Sequence, residues 1–124
     1  MNKKHFSFLL ILLLILGISF YQEKRVDINY SNVKEEIKYH FRNEELLDSH
    51  YQKHGIEMGF DSPTNYEIAA NKVILNPLSL HKIQDDGDDI YLLEDSGEFV
   101  VLSYDGYIRT YFKPKKALEY FNRQ

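Results

Sequence analysis

Three turn dipeptides, Asp86-Gly87, Ser96-Gly97 and Asp105-Gly106, follow one another about ten residues apart in the second half of this chain, the cadence of a small antiparallel sheet. A glycine after Asp or Ser supplies the positive φ that a tight reversal needs, so each pair predicts a hairpin. The intervening runs, roughly 78–84, 89–95, 98–104 and 107–113, are rich in β-branched and aromatic residues. They predict a four-stranded antiparallel meander. The first half has the other periodicity. Val33, Ile37 and Phe41 recur every four residues after Ser31, and Leu46, Leu47 and Tyr51 follow Asn43 up to Gly55, which predicts one or two helices. A better-marked helix begins with Ser62 as cap and Pro63 at its first position, carries Tyr66, Ala69, Ala70, Val73 and Ile74, and stops at Asn76-Pro77. Lys115 to Asn122 predict a last short helix after Pro114. Helices first and strands afterwards give an α+β domain over 31–124, with the helices packed on one sheet face.

What precedes that domain has a different character. Lys3 and Lys4 lead into an unbroken apolar stretch from Phe6 to Phe20, the layout of a secretory signal. The stretch is shorter than the roughly 20 residues of a usual membrane span, so residues 1–20 are expected to act either as a cleaved signal, cut after Ser19, or as a membrane anchor. Residues 21–30 read as a linker. The domain is therefore expected outside the cytoplasm, secreted or held at the outer face of the membrane. It has no cysteine, so packing must stabilise it without disulfides, and lipid attachment through a cysteine is excluded.

The chain carries a formal charge of −4, and removing Lys3 and Lys4 from its 15 basic residues leaves 13 against 19 acidic ones. That balance argues against indiscriminate polyanion binding. The charges are segregated, however. Asp85, Asp86, Asp88, Asp89, Glu94, Asp95 and Glu98 form a stretch without a base, whereas Arg109, Lys113, Lys115, Lys116 and Arg123 share the last 18 residues with Glu119 alone. The basic part suits a phosphate; the acidic part suits solvent or a partner surface.

Two stretches carry residues suited to chemistry. In Leu46-x-x-His50-x-x-Lys53-His54-Gly55-x-Glu57, helical spacing gathers positions 46, 50, 53 and 54 on one face. Two imidazoles beside an ammonium can bind an anion or move a proton near neutral pH. A cationic last turn is also simply a favourable helix end, which is the plainer account of His54 before Gly55. His50 and His54 at i and i+4, with Glu57 nearby, have zinc-ligand spacing, but the zincin pattern would need Glu where Tyr51 stands. With no third ligand and no cysteine, no metal is assigned. In the run Tyr107 to Pro114, strand alternation places Arg109, Tyr111 and Lys113 on one face, suited to phosphate and base contacts, and Ile108, Thr110 and Phe112 on the other. An ordinary solvated strand face would look the same. Asp61 to Asn71 reads as scaffold.

Taken in order, His50-x-x-Lys53-His54-Gly55-x-Glu57, then Ser62-Pro63-x-x-Tyr66-Glu67-x-Ala69-Ala70, then Asp105-Gly106-x-Ile108-Arg109-Thr110-Tyr111-Phe112-Lys113-Pro114, the chain resembles the barnase, EndoU, colicin and RelE-like nuclease superfamily. Its nearest likeness is to the C-terminal ribonuclease modules of contact-dependent and polymorphic bacterial toxins, over about residues 42–114. The resemblance implies a barnase-like fold and metal-independent cleavage of RNA, often transfer RNA, by its own 2′-hydroxyl. It implies a site where the His50–His54 helix meets the Arg109–Lys113 strand. His50 and His54 would be base and acid in either order, Arg109 and Thr110 would complete the catalytic set, and Lys53, Tyr111 and Lys113 would bind substrate. No cofactor is implied. The partners implied are the RNA and a cognate immunity protein, and the chain is expected to be monomeric. The acidic balance keeps a second reading open: a catalytically inactive, envelope-located protein-binding module of the same fold.

Overall fold

The computed structural model describes residues 37–124; the signal or anchor expected at 1–20 and the linker expected at 21–30 lie outside them. Among the described residues no helix is long and apolar enough to cross a membrane. The order is β1 (His40–Phe41), α1 (Glu44–His50) running into a π-helical turn (Tyr51–Gly55), α2 (Pro63–Leu75), β2 (Leu80–Ile83), β3 (Asp89–Leu93), β4 (Glu98–Leu102), β5 (Tyr107–Phe112) and α3 (Ala117–Arg123). The α+β class and the meander β2–β3–β4–β5 are as expected, joined at the three predicted turns. Gly87 and Gly106 each adopt φ of +89°, where a side chain would be strained.

The predicted four-stranded sheet has a fifth member. β1 lies beside β5 and parallel to it, giving the order β1-β5-β4-β3-β2 and a mixed sheet. Phe41 is therefore a strand residue, and the helix predicted through it is corrected. Its four-residue spacing from Ile37 mimics a helical face, but side chains of α2 hold the backbone extended there. The buried Glu67 accepts the Phe41 N–H at 3.0 Å and meets His40 Nδ1 at 2.8 Å. The buried Asn71 accepts the Tyr39 N–H and donates to the Tyr39 carbonyl, both at 2.8 Å. A helical backbone at 39–41 could not offer those groups sideways.

The sheet is also covered on both faces rather than one. Tyr66, Ala70, Val73 and Ile74 of α2 pack on Val100, Leu102, Ile108 and Tyr111; the alternate residues Ile90, Leu92 and Phe99 pack on Phe121 of α3. β4, buried on both sides, is the centre of the domain. α1 and α2 start where polar caps stand: the Ser62 hydroxyl accepts the Asn65 N–H at 3.1 Å and the Asn43 side chain accepts the Leu46 N–H at 2.8 Å. Each cap contributes about 1 kcal/mol.

One irregularity decides what β5 presents. Val101 pairs with Thr110 but Leu102 pairs with Ile108, so Arg109 is an extra residue, a β-bulge. The bulge breaks the alternation assumed from sequence. Ile108 and Tyr111 both enter the α2 core, while Phe112 turns to the α3 side.

Candidate active site

The helix that begins at Asn43 does not end as an ordinary α-helix. At Tyr51 it widens, and the Ile56 N–H donates to the Tyr51 carbonyl five residues back, at 3.1 Å. Single π-helical turns of this kind are uncommon and concentrate at functional sites. This one ends on Gly55, which is buried against the core: an added Cβ would stand 2.5 Å from the Tyr51 ring and 3.0 Å from Tyr66. The Tyr51 hydroxyl, donating to the Phe60 carbonyl at 2.9 Å, closes the far side of the turn.

The turn carries His54 to the far end of β5, past the point where the two-residue β1 stops pairing. His54 stacks on Phe112 with ring centroids 5.2 Å apart, and His50 lies 6.2 Å from His54 and 5.2 Å from Phe41. His54, Glu57, Met58, Phe112 and Lys113 line a cleft of about 310 Å³. Its floor is apolar, from Met58 and Phe112. Its walls offer an imidazole, a carboxylate and an ammonium.

Burial holds the His50 imidazole below its ordinary pKa, and the charges of His54 and Lys53 push in the same direction. His54 is likewise lowered, first by burial and then by Lys53, with Glu57 opposing. Burial of both rings thus favours the neutral form, the one able to accept a proton. His50 Nδ1 is buried with no hydrogen-bond partner, an arrangement seldom left in a purely structural position.

Of the residues expected to form the site, four come together near this end of the sheet: His54 and Lys113 line the cleft, while His50, 6.2 Å from the His54 ring, and Lys53, whose charge acts on both imidazoles, stand near it without lining it. Three others do not. Arg109 is committed elsewhere: its Nε meets the buried carboxylate of Asp88 at 2.8 Å, across β4 and away from the cleft. Tyr111, expected among the substrate contacts, is fully buried; it stacks on Tyr66 at 5.0 Å and its hydroxyl donates to Glu98. Thr110 is half-buried beside Val101 and does not line the cleft. The first correction follows from the bulge, which no residue pattern in the strand announces; Tyr111 is buried because its strand face is the one that α2 covers, and Thr110 shares the Val101 side of the sheet. In the other direction, the residue pattern gives no sign of Phe112 and Met58 as cleft residues, and it offers Glu57 only as a metal ligand. Glu57 follows His54 by three residues, and that helical spacing was the available signal. Among the described residues no group of three His, Cys, Asp or Glu side chains is arranged to hold a metal.

Neither a protein-family model nor a curated protein sequence matches the chain.

Proposed function

We propose that this chain is an exported, metal-independent endoribonuclease of bacterial toxin type, cleaving RNA at the His54 cleft by attack of the 2′-hydroxyl on the adjacent phosphate. The observation that carries the reading is the His54 imidazole beside the Lys113 ammonium at an open cleft, with a second imidazole, His50, 6.2 Å from the first. Transesterification needs a base for the 2′ proton, an acid for the departing 5′ oxygen, and positive charge for the phosphorane oxygens. His50 and His54 are suited to the two proton transfers, one ring taking the 2′ proton while the other enters the step protonated and gives its proton to the 5′ oxygen, and Lys113 and Lys53 are suited to the charge. The Phe112 stack fixes the His54 ring plane, so little orientation remains to be lost when substrate binds. Arg109 and Tyr111 have no part in this version of the site. Removal from the cytoplasm by residues 1–20 would protect the producing cell's own RNA.

Incubating the purified full-length chain with total RNA in EDTA tests the proposal. Fragments ending in 2′,3′-cyclic phosphate are expected. RNA that stays intact at high protein concentration would favour the second reading, a binding module of the same fold. That reading draws on one specific observation: the basic side chain with the strongest claim on a phosphate, Arg109, already holds an internal carboxylate.

A further inference from the structure

The cleft has two sides that come from distant parts of the sequence: the π-helical turn bearing His54, and the end of β5 bearing Phe112 and Lys113. One buried side chain touches both. Tyr66, on α2 and fully buried, lies directly under Gly55, its ring 3.0 Å from where a Cβ would sit. Its hydroxyl donates to the backbone carbonyl of Tyr111, the residue before Phe112. The ring is fixed from the remaining directions by Phe41 at 5.9 Å, Phe60 at 5.8 Å and Tyr111 at 5.0 Å. It has no freedom to follow either side alone.

We propose that Tyr66 is the positioning residue of the cleft, setting the distance between the His54 turn and the end of β5 through Gly55 on one side and the Tyr111 carbonyl on the other. This rests on the cleavage reading for its consequence in catalysis, though not for its geometry. Apolar contact alone would allow the turn to slide over the ring. The hydrogen bond adds direction: it ties β5 at the one backbone group adjoining Phe112, on which His54 stacks. Few other residues would serve. Phe supplies the ring without the bond, and a smaller polar residue the bond without the support.

The test is Tyr66→Phe in the full-length chain, read by the NMR titration of the His54 ring alongside RNA cleavage. Loss of the tie should loosen the stack, expose the imidazole and move the His54 pKa upward toward 6.5, its ordinary value. Turnover should drop on the order of tenfold or more with KM nearly unchanged, the signature of misplaced groups rather than lost binding. Ser79→Ala, which removes a half-buried hydroxyl bond to the Val73 carbonyl away from the cleft, should lower stability and leave the titration unmoved. Gly55→Ala approaches the same link from the other side, since its methyl would press on the Tyr66 ring at 3.0 Å as well as on the Tyr51 ring at 2.5 Å, and should shift His54 in the same sense. If both variants fold and His54 titrates as in the parent chain, the proposal is overturned; it is equally overturned if both fail to fold, because Tyr66 is then a core residue only. A His54 shift in the variants of a parent chain that does not cleave RNA would sink the nuclease reading while leaving the positioning role intact.

Discussion

The two ends of the short strap Tyr39–Phe41 and α1 are built on opposite principles. Where the strap meets α2, buried polar groups are matched: Glu67 takes the Phe41 N–H and His40, and Asn71 takes both backbone groups of Tyr39 and donates also to the Glu67 carbonyl. Where α1 runs out, in the turn Tyr51–Gly55, the helix leaves its regular geometry and the neighbouring His50 keeps a buried nitrogen without a partner. The first region spends its polar side chains on holding the fold. The second holds polar groups in reserve, at a cost in stability, beside a cleft. Such a contrast is expected between a scaffold and a site, because groups poised for an external ligand cannot also be satisfied internally.

The contrast breaks or sharpens under substitution. Glu67→Ala should produce the largest effect, about 3 kcal/mol of lost stability, since it orphans the Phe41 N–H and the half-buried strap that depends on it. Chemical denaturation measures this; a loss under about 1 kcal/mol would mean that β1 is held by its pairing with β5 instead. His54→Ala should do the reverse, reducing cleavage on the order of 100-fold while the denaturation midpoint stays close to the parent's. Collapse of the fold there would make His54 a structural residue.

A smaller effect, of opposite sign, is expected at His50. His50→Phe removes the unpartnered nitrogen and keeps a ring against Phe41, so it should gain about 1 kcal/mol in stability while losing activity. A destabilised His50→Phe would show that the nitrogen is satisfied in solution. The smallest effect concerns pH. Both imidazoles have folded pKa values depressed below 6.5, so the unfolded chain binds more protons than the native one as the solution is acidified. Their contribution to stability is therefore fully present above pH 6.5 and is lost as the pH falls through their folded values. Unfolding curves between pH 8 and pH 5 should show that slope, and the double variant His50→Phe, His54→Phe should flatten it.

The sequence made the meander and α2 legible because each is set by local chemistry: glycines that accept positive φ, and Ser62-Pro63 and Asn76-Pro77 that start and stop a helix. β1 was not legible. Two residues cannot show a strand period, and Phe41 happened to continue the spacing of Val33 and Ile37. What makes it a strand is a pair of α2 side chains some thirty positions later, Glu67 and Asn71, which local reading treated as scaffold without a role. The site was half legible for a similar reason. His50, Lys53 and His54 share a helical segment, so spacing alone assembles them. Alternation groups Arg109, Tyr111 and Lys113, but the extra residue at the bulge takes Arg109 out of the pattern to Asp88, and the face that holds Tyr111 is covered by α2, so only Lys113 reaches the cleft.

The central claim is that the His54 cleft cleaves RNA through the 2′-hydroxyl without metal. It is tested most directly with a single-stranded oligoribonucleotide in EDTA, compared with the same strand carrying 2′-deoxyribose throughout, each exposed to the full-length chain and to His54→Ala. The account predicts cyclic-phosphate products from the ribose strand with the parent chain only, and none from the deoxyribose strand. Cleavage of the deoxyribose strand, undiminished cleavage by His54→Ala, or no cleavage of either strand would contradict it.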